Sequence, residues 1–418
     1  MKWWPFGNKS PAPQASATGT FSITDADRWI DLIGGGATAS GQVVTAETAM
    51  RCSAVFACVR LIAGAVSCSP ALVYRRNGDQ RMRAPDHPME RVLRLRPNRF
   101  MTASTFWKLF VGHKLLAGNA YANIVRARSG QPVALMLLNP RSVTVYWAWE
   151  LGLDKTLGVE RNRLFYSVTF EDGATRVFDQ DDMLHVPNIG GDGRGGISTI
   201  QAMAQSVGLS LAAEDSSARF FSNGMQSPVA LSYPKQLSPE ALDRLREHLQ
   251  NRYGGSRNHH KPLILTEGGD VKTLSMSAVD AQLLDSRKFS VIDICRFFGV
   301  NPVMVGESEK TSSWGSGVEQ MGRWFNTLTM NEHFTAIEQE LEVKLFSDGY
   351  FAEFDETELT RGDTKTRHEA YRVARGSMQE PGYMTINEIR AAEGLPPVPG
   401  GDVLQRPEPA AGEGGADA

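Results

Sequence analysis

The spacing of hydrophobic positions along this chain switches between the helical and the strand period, and the switches lay out its elements. From about Glu47 to Ser67, Val55, Cys58, Val59, Ile62 and Val66 fall at helical spacing, and Pro70 ends the run. A short strand, ALVYRR, follows. A second helix is predicted over Ser104 to Leu116, with Phe106, Leu109, Phe110 and Leu116 roughly on one side and stop chemistry at Gly118 and Asn119. From Ala120 to Val186 the period becomes two, in AYANIVR, VALMLLNP, SVTVYWAW, RLFYSVTF and TRVFD, with hairpin turns at Ser129 to Gln131 and Glu171 to Gly173. The first half therefore predicts an α+β body built around an antiparallel sheet.

The second half returns to the helical period. A helix over about Ser198 to Phe221 places Ile200, Met203, Val207 and Leu211 together. Residues 227–275 form a small unit of their own. It has a strand-like VALSYP, a helix started by Ser238 and Pro239 with Leu242, Leu245 and Leu249 as its stripe, and two strands in KPLILTEGGDVKTLS. A helix over about Ala278 to Phe298 presents Leu284, Val291, Ile294 and Phe298. Bracketed in this way, the 227–275 unit predicts an antiparallel pair of helices on either side of it.

A polar insert, GVNPVMVGESEKTSSWGSGVEQ, separates that helix from a long one over about Gly317 to Phe346. The long helix carries Met321, Phe325 and Leu328, then Ile337, Leu341 and Leu345; its register slips between Leu328 and Phe334, which predicts a kink or a change of packing partner. Helices near Lys365 to Met378 and Ile386 to Glu393 follow, the second with a capping box of Thr385 and Glu388. Residues 5–20 and 400–418 are rich in Gly, Pro, Ala and Ser and predict mobile tails.

Composition narrows the class. At 418 residues the chain predicts about two to four structural units. A net charge of −3 argues against coating nucleic acid by bulk attraction. Cys52, Cys58, Cys68 and Cys295 form no CxxC pair and predict small buried hydrophobes in a reducing compartment. MKWWPFGNKS lacks the apolar run of a signal peptide, and the longest candidate span, Leu61 to Tyr74, is too short and holds Pro70.

Candidate chemistry is sparse. NIGGDGRGGIS, residues 188–198, precedes a helix and could hold a phosphate. It lacks the ending of a P-loop and the glycine spacing of a dinucleotide fingerprint, so a flexible hinge is the better expectation. His259 and His260 lack zinc spacing, Asp179, Asp181 and Asp182 predict a solvated turn, and no GxSxG is present. Between Arg75 and Arg99 lie eight arginines against Asp79, Asp86 and Glu90; a solvated strand and loop or an intersubunit contact is the favoured expectation. Residues 353–418 hold thirteen acidic and seven basic side chains, a net of −6.

Four stretches, in this order, carry a resemblance: AMRCSAVFACVRLIAGAVSCSPALVYRR, then HPMERVLRLRPNRFMTASTFWKLFVGHKLLAGNAYANIVR, then DDMLHVPNIGGDGRGGIS with its helix and FFSNG ending, then MTINEIRAAEGLPPVPGGD. With the region around the insert they span roughly residues 45–402. The chain resembles the portal proteins of tailed bacteriophages, in particular the small HK-type portal family.

The resemblance implies an α+β portal fold with an antiparallel-sheet wing, a two-helix stem, a small αβ clip, a long tunnel helix and a helical crown. Laid on this sequence, 1–40 is a flexible tail, 41–197 wing, 198–226 and 276–299 the stem helices, and 227–275 clip. Residues 300–347 are tunnel loop and tunnel helix, 348–400 crown, and 401–418 a second flexible tail. It implies a non-enzymatic structural protein with no cofactor, no metal and no membrane. Copies, usually twelve, form a ring at one capsid vertex of the virion after assembly in the host cytoplasm. Duplex DNA is packaged through the channel by the large terminase and later ejected. The major capsid protein and a head–tail connector or adaptor are the other partners.

The resemblance also places candidate residues. The insert becomes the DNA-facing tunnel loop, with Glu307, Glu309, Lys310, Ser312, Ser313 and Trp314. Its net charge of −2 per copy, with Glu319 counted, suits a conduit, because lysine and arginine contacts to phosphates would act as a brake. Trp314 departs from that polar character, and an anchor on a neighbouring subunit is the preferred role. Arg252, Arg257 and Lys261 are candidate motor-docking residues in the clip. Arg91, Arg94 and Arg96 are candidate intersubunit residues, meeting acidic side chains of the next copy in head-to-tail contacts. Two other classes compete: a duplex-DNA-binding adaptor using the 75–99 arginines, and a phosphate-loop enzyme using the 188–198 glycines.

Overall fold

The computed structural model describes residues 38–78, 80–222, 229–232, 238–240, 242–244, 247, 270–273, 289–307, 316–347, 349–360, 364–377 and 380–405. Along them run strands β1 (Ala71–Asn77), β2 (Gln80–Arg83), β3 (Asn119–Arg126), β4 (Pro132–Leu138), β5 (Val143–Trp147) and β6 (Leu164–Thr169). Then come β7 (Thr175–Asp179), β8 (Met183–Pro187), β9 (Val229–Ser232), β10 (Asp270–Thr273) and β11 (Tyr350–Phe354). The chain divides into two units, Met1–Arg60 with Leu109–Phe298, and Leu61–Lys108 with Gly299–Ala418.

In the first unit the predicted β region is present, but as two three-stranded antiparallel sheets, β4-β3-β8 and β5-β6-β7, rather than one. Both predicted hairpin turns close on glycine at positive φ, Gly130 at 82° between β3 and β4 and Gly173 at 78° between β6 and β7. Tyr121, Leu138, Tyr166, Val168 and Met183, drawn from both sheets, pack into one buried cluster. Strands β9 and β10 pair antiparallel, from Val229 against Thr273 to Ser232 against Asp270. The 227–275 segment thus begins and ends side by side.

The helices show which periodicities hold. The stripe Val55, Cys58, Val59, Ile62, Val66 is buried throughout, on a helix of Ser53–Cys68 preceded by a separate capped turn, Ala46–Ala49. Cys52, Cys58 and Cys295 are buried as expected, whereas Cys68, the last residue of its helix, is exposed. On the helix Ala103–Ala117 the buried face is Phe106, Trp107, Phe110, Val111, Lys114 and Leu115. Leu109, predicted on that face, is 40% exposed. At 100° per residue the i and i+4 pairs sweep one arc with Lys114 near its middle, and Leu109 falls outside it. Ser198 caps a short helix, Thr199–Ala202, and Met203 breaks it from Ala204–Ser222. Ile200, Met203 and Val207 are buried as predicted. The helix before the insert is described over 289–298, with Ile294 and Phe298 buried.

The second unit is organised on a sheet of order β11-β1-β2, in which Ala71 faces Phe354 and Tyr74 faces both Phe351 and Arg83. Helix Asn331–Leu345 buries Phe334, Ile337, Leu341 and Leu345. Phe354 collects the ring of Phe334 at 5.1 Å and of Trp107, edge-on, at 5.3 Å. The predicted register slip has a structural cause. Ser316–Trp324 continues into a π-helical turn, Phe325–Met330, before Asn331. Phe325 and Met330, five apart, are both buried, and four-residue spacing resumes at Phe334. The extra residue carries Leu328 off the apolar face to 72% exposure, contrary to its predicted place. The capping box of Thr385 and Glu388 starts helix Ile386–Ala392 as predicted. Among the described residues, no helix is long and apolar enough to cross a membrane.

Candidate functional site

The arginine-rich segment sorts into two groups once its neighbours are known. Arg83 Nη2 meets Glu90 Oε1 at 2.9 Å, and Arg83 Nη1 donates to the Val73 carbonyl at 2.9 Å. Glu90 Oε2 accepts the Val73 amide at 2.8 Å, so the pair closes both backbone groups of one β1 residue. Glu90 is buried; burial alone would raise its pKa, but the Arg83 guanidinium and the Val73 amide outweigh this and hold it below the usual range. Arg76 pairs with Glu342 at 2.8 Å and Arg81 with Glu353, and these guanidiniums lie over the rings of Phe351 and Tyr74. These arginines fasten the β11-β1-β2 sheet. The second group is Arg91, Arg94, Arg96 and Arg99, all exposed, in and after helix Pro88–Arg94. Arg94 reaches Glu90 only at 3.8 Å, and Arg96 donates to the Arg99 carbonyl. The candidate intersubunit residues therefore lie together on one exposed turn.

The glycine segment is built differently. Asn119 Oδ1 accepts the Gly196 amide at 2.8 Å and its Nδ2 donates to the Gly196 carbonyl at 3.1 Å. That orientation makes Oδ1 the acceptor for His185 Nε2–H at 3.0 Å. His185 Nδ1 is hydrogen-bonded to the Tyr166 hydroxyl at 3.1 Å. Tyr121 stacks on the imidazole at 4.4 Å. Ser198 donates to Leu116 O at 2.6 Å while capping Gln201. A Cβ on Gly118 would sit 2.5 Å from Gly196 O, and one on Gly196 would run into Asn188 and Gly118 backbone. The glycines allow backbones to touch, so this is a pinned crossing and not the expected hinge. The Gly196, Ile197 and Gln201 amides are taken by Asn119, Ile189 O and Ser198, which disfavours a phosphate cradle.

The aspartate turn is also internally satisfied. Arg163 grips both oxygens of Asp179 and reaches Asp181, and Arg126 meets Asp182 at 2.8 Å. Of the insert, 300–307 is ordered by its own chemistry. Asn301 caps a 3₁₀ turn, Pro302–Val305, Gly306 closes it at φ 94°, and Val300 is buried. Glu307 is half-buried at its end. Glu309, Lys310, Ser312, Ser313 and Trp314 lie outside the described residues, as do Arg252, Arg257 and Lys261.

Sequence reasoning named Glu90 and Asn119 without these roles, and it passed over His185 and Glu338. Glu338 accepts the Phe354 amide at 2.7 Å, and burial, with Glu353 and Glu356 nearby, pushes its carboxyl up to about 7. A lone glutamate amid arginines was the available signal for Glu90. Nothing local marks Glu338.

A family model described as phage portal protein matches residues 53–394. The portal protein of Enterobacteria phage HK97 is 32% identical over 367 residues, covering 86% of this chain and 82% of that protein. The probable portal protein of Streptomyces phage phiC31 is 30% identical over 377 residues, covering 88% and 79%. A chain from the neck of an empty gene transfer agent particle superposes with a TM-score of 0.58 at 22% identity, over 88% of this chain and 93% of that one. An HK97-family portal protein from Corynebacterium diphtheriae does so at 0.52 and 15% identity, over 74% and 94%. The fold is that of these structures, and the chain belongs to the phage portal protein family.

Proposed function

We propose that copies of this chain close into a ring at one capsid vertex, the passage through which duplex DNA enters during packaging and leaves at ejection. The family match across 53–394 carries this reading. The role is structural rather than catalytic. On this reading the large terminase docks on the clip, with Arg252, Arg257 and Lys261 as candidate contacts, and later a head–tail connector or adaptor takes its place. The surrounding shell is the major capsid protein, and assembly proceeds in the host cytoplasm.

The segment assignments find support in the fold. The β9–β10 pair returns the 227–275 segment to its starting point, as a clip inserted between two stem helices requires. The described parts of those helices, Ala204–Ser222 and 289–298, flank it in sequence. Because β11 shares a sheet with β1, the crown in this proposal begins after Phe354, not at residue 348. The tunnel loop follows the ordered turn at Pro302–Val305, with Glu307 at its root and Trp314 as an anchor on a neighbouring subunit.

Negative-stain imaging of the purified protein tests the ring. The expected result is a closed ring with a hole that admits duplex DNA, whose major groove alone is ~12 Å wide. A persistent monomer would sink the proposal. A packaging assay with Glu307→Lys and Glu309→Lys tests the loop: slower translocation is expected from added phosphate contacts. An unchanged rate and unchanged DNA retention would remove electrostatic tuning by these residues.

A further inference from the structure

The exposed turn at 91–100 is more than a cluster of charge. It carries four arginines and no acid, and among them Leu95 and Phe100 are 61% and 68% exposed. The turn is well built. Leu95 and Arg96 amides both close on Arg91 O, and buried Asn98 accepts the Phe100 and Met101 amides at 3.2 and 2.9 Å. Two large apolar side chains are thus presented by a fixed backbone on a segment that also exposes four arginines. Phosphate recognition has no use for them, whereas a protein interface uses an apolar anchor with arginine around it.

The same unit has a surface of the opposite kind. Residues 376–405 hold Glu380, Glu388, Glu393 and Asp402 against Arg390, and Arg367 pairs with Glu393 at 2.6 Å, which leaves a local net of −2. Gly382 donates to Gln405 O at 2.9 Å and Asn387 to Asp402 at 2.9 Å, which draws 382–388 and 401–405 into one patch, so 401–405, expected in the flexible tail, is tied to the fold. Tyr383, Val403 and Leu404 are exposed there at 71%, 74% and 43%, beside exposed Glu380, Glu388 and Asp402. Arg390 is occupied by Pro396 O, and exposed Arg375 stands at the margin.

A head-to-tail ring needs two different, complementary faces on every copy. We infer that the Leu95–Phe100 turn of one copy seats on the Tyr383–Leu404 surface of the next, apolar centre to apolar centre, arginines to carboxylates. This rests on the ring reading above and names its contact.

The test joins positions from the two faces. In a Cys68→Ser background, Phe100→Cys combined with Val403→Cys should give a ladder of disulfide-linked oligomers on mild oxidation, and either cysteine alone should not. Leu95→Ser with Phe100→Ser should lower the ring fraction on the order of tenfold or more, with an unchanged thermal melt because both positions are exposed. Arg91→Glu, Arg94→Glu and Arg96→Glu together should also disassemble rings, and adding Glu380→Lys and Asp402→Lys should restore them. Intact rings with no ladder and no effect of the serine pair overturn this contact and leave the ring standing. Intact rings that have lost duplex DNA binding overturn it in favour of a nucleic-acid partner. A wild-type protein that never forms rings overturns both.

Discussion

The arginine segment and the glycine segment both have the look of ligand sites in the sequence, and both prove to be mainly internal fastenings, made by opposite means. Around β1 the chain fixes its backbone with charge: a buried carboxylate and a guanidinium satisfy the two polar groups of Val73. Around Gly196 it uses the absence of side chains, letting three backbone segments touch while an Asn–His–Tyr chain completes the hydrogen bonds. The lesson is subtractive. Residues with internal partners hold the fold, and the remainder, such as the 91–100 turn, is what a partner can meet.

The glycine crossing should be the less forgiving of the two. Gly196→Ala places a methyl group against the Asn188 and Gly118 backbones, which are themselves hydrogen-bonded to each other at 2.8 Å. Neither can yield without breaking that bond. A loss of about 3 kcal/mol or more is expected in urea unfolding, or insoluble protein. A variant with wild-type stability would show that the backbones are not in contact.

Charge fastening should fail more gradually. Glu90→Ala removes the acceptor shared by the Val73 amide and the Arg83 side chain, leaving a buried N–H and a partly exposed guanidinium that keeps only the Val73 carbonyl. Arg83 is about a third exposed, so water recovers part of the loss, and about 2–3 kcal/mol is expected. The linkage has a sign. Because Glu90 has a lowered pKa in the fold, its contribution is present above the unfolded value and fades as pH falls through the folded one. The stability gap between wild type and Glu90→Ala should therefore narrow in acid, as thermal melts across pH would read.

Glu338 inverts that behaviour. Its folded pKa of about 7 lies above the ordinary 4.5, so the folded state holds the extra proton between those values. Stability then declines as pH rises through that window, by about 1–3 kcal/mol after allowance for its partial exposure. Glu338→Gln retains an acceptor for the Phe354 amide and cannot ionise. It should match wild type near pH 5 and exceed it by about 1–2 kcal/mol at pH 8. Parallel pH profiles for the two proteins would contradict a raised carboxyl.

How far the sequence foretold this depends on the range of the interaction. The stripe from Val55 to Val66, the Thr385–Glu388 capping box and both hairpin glycines are set by residues within one turn or one hairpin of each other, and each was legible. The π-turn was legible as a slip in register, though its cost, the exposure of Leu328, was not. The β1–β11 pairing was not, since it joins segments far apart in the chain and neither carries a mark of the other. The Ala103–Ala117 face was misjudged because counting apolar residues favoured Leu109 and ignored Lys114, a charged residue that this fold buries whole. Of the candidate sites, local sequence located the basic turn, but only tertiary partners separated Arg83 from Arg91.

That separation gives the smallest effect and the sharpest contrast. Arg83 and Arg91 lie eight residues apart, are the same residue type, and flank the same glutamate in sequence. Arg83 donates to Val73 O and to both Glu90 oxygens; Arg91 is exposed on the helix that carries Glu90. Arg83→Gln should destabilise the fold by about 1–2 kcal/mol, through a buried carboxylate that loses its counter-charge. Arg91→Gln should change unfolding by less than about 0.5 kcal/mol, as exposed positions do. If Arg91→Gln cost as much as Arg83→Gln, the 91–100 turn would be part of the fold's own fastening, and the division between internal and outward arginines would fail.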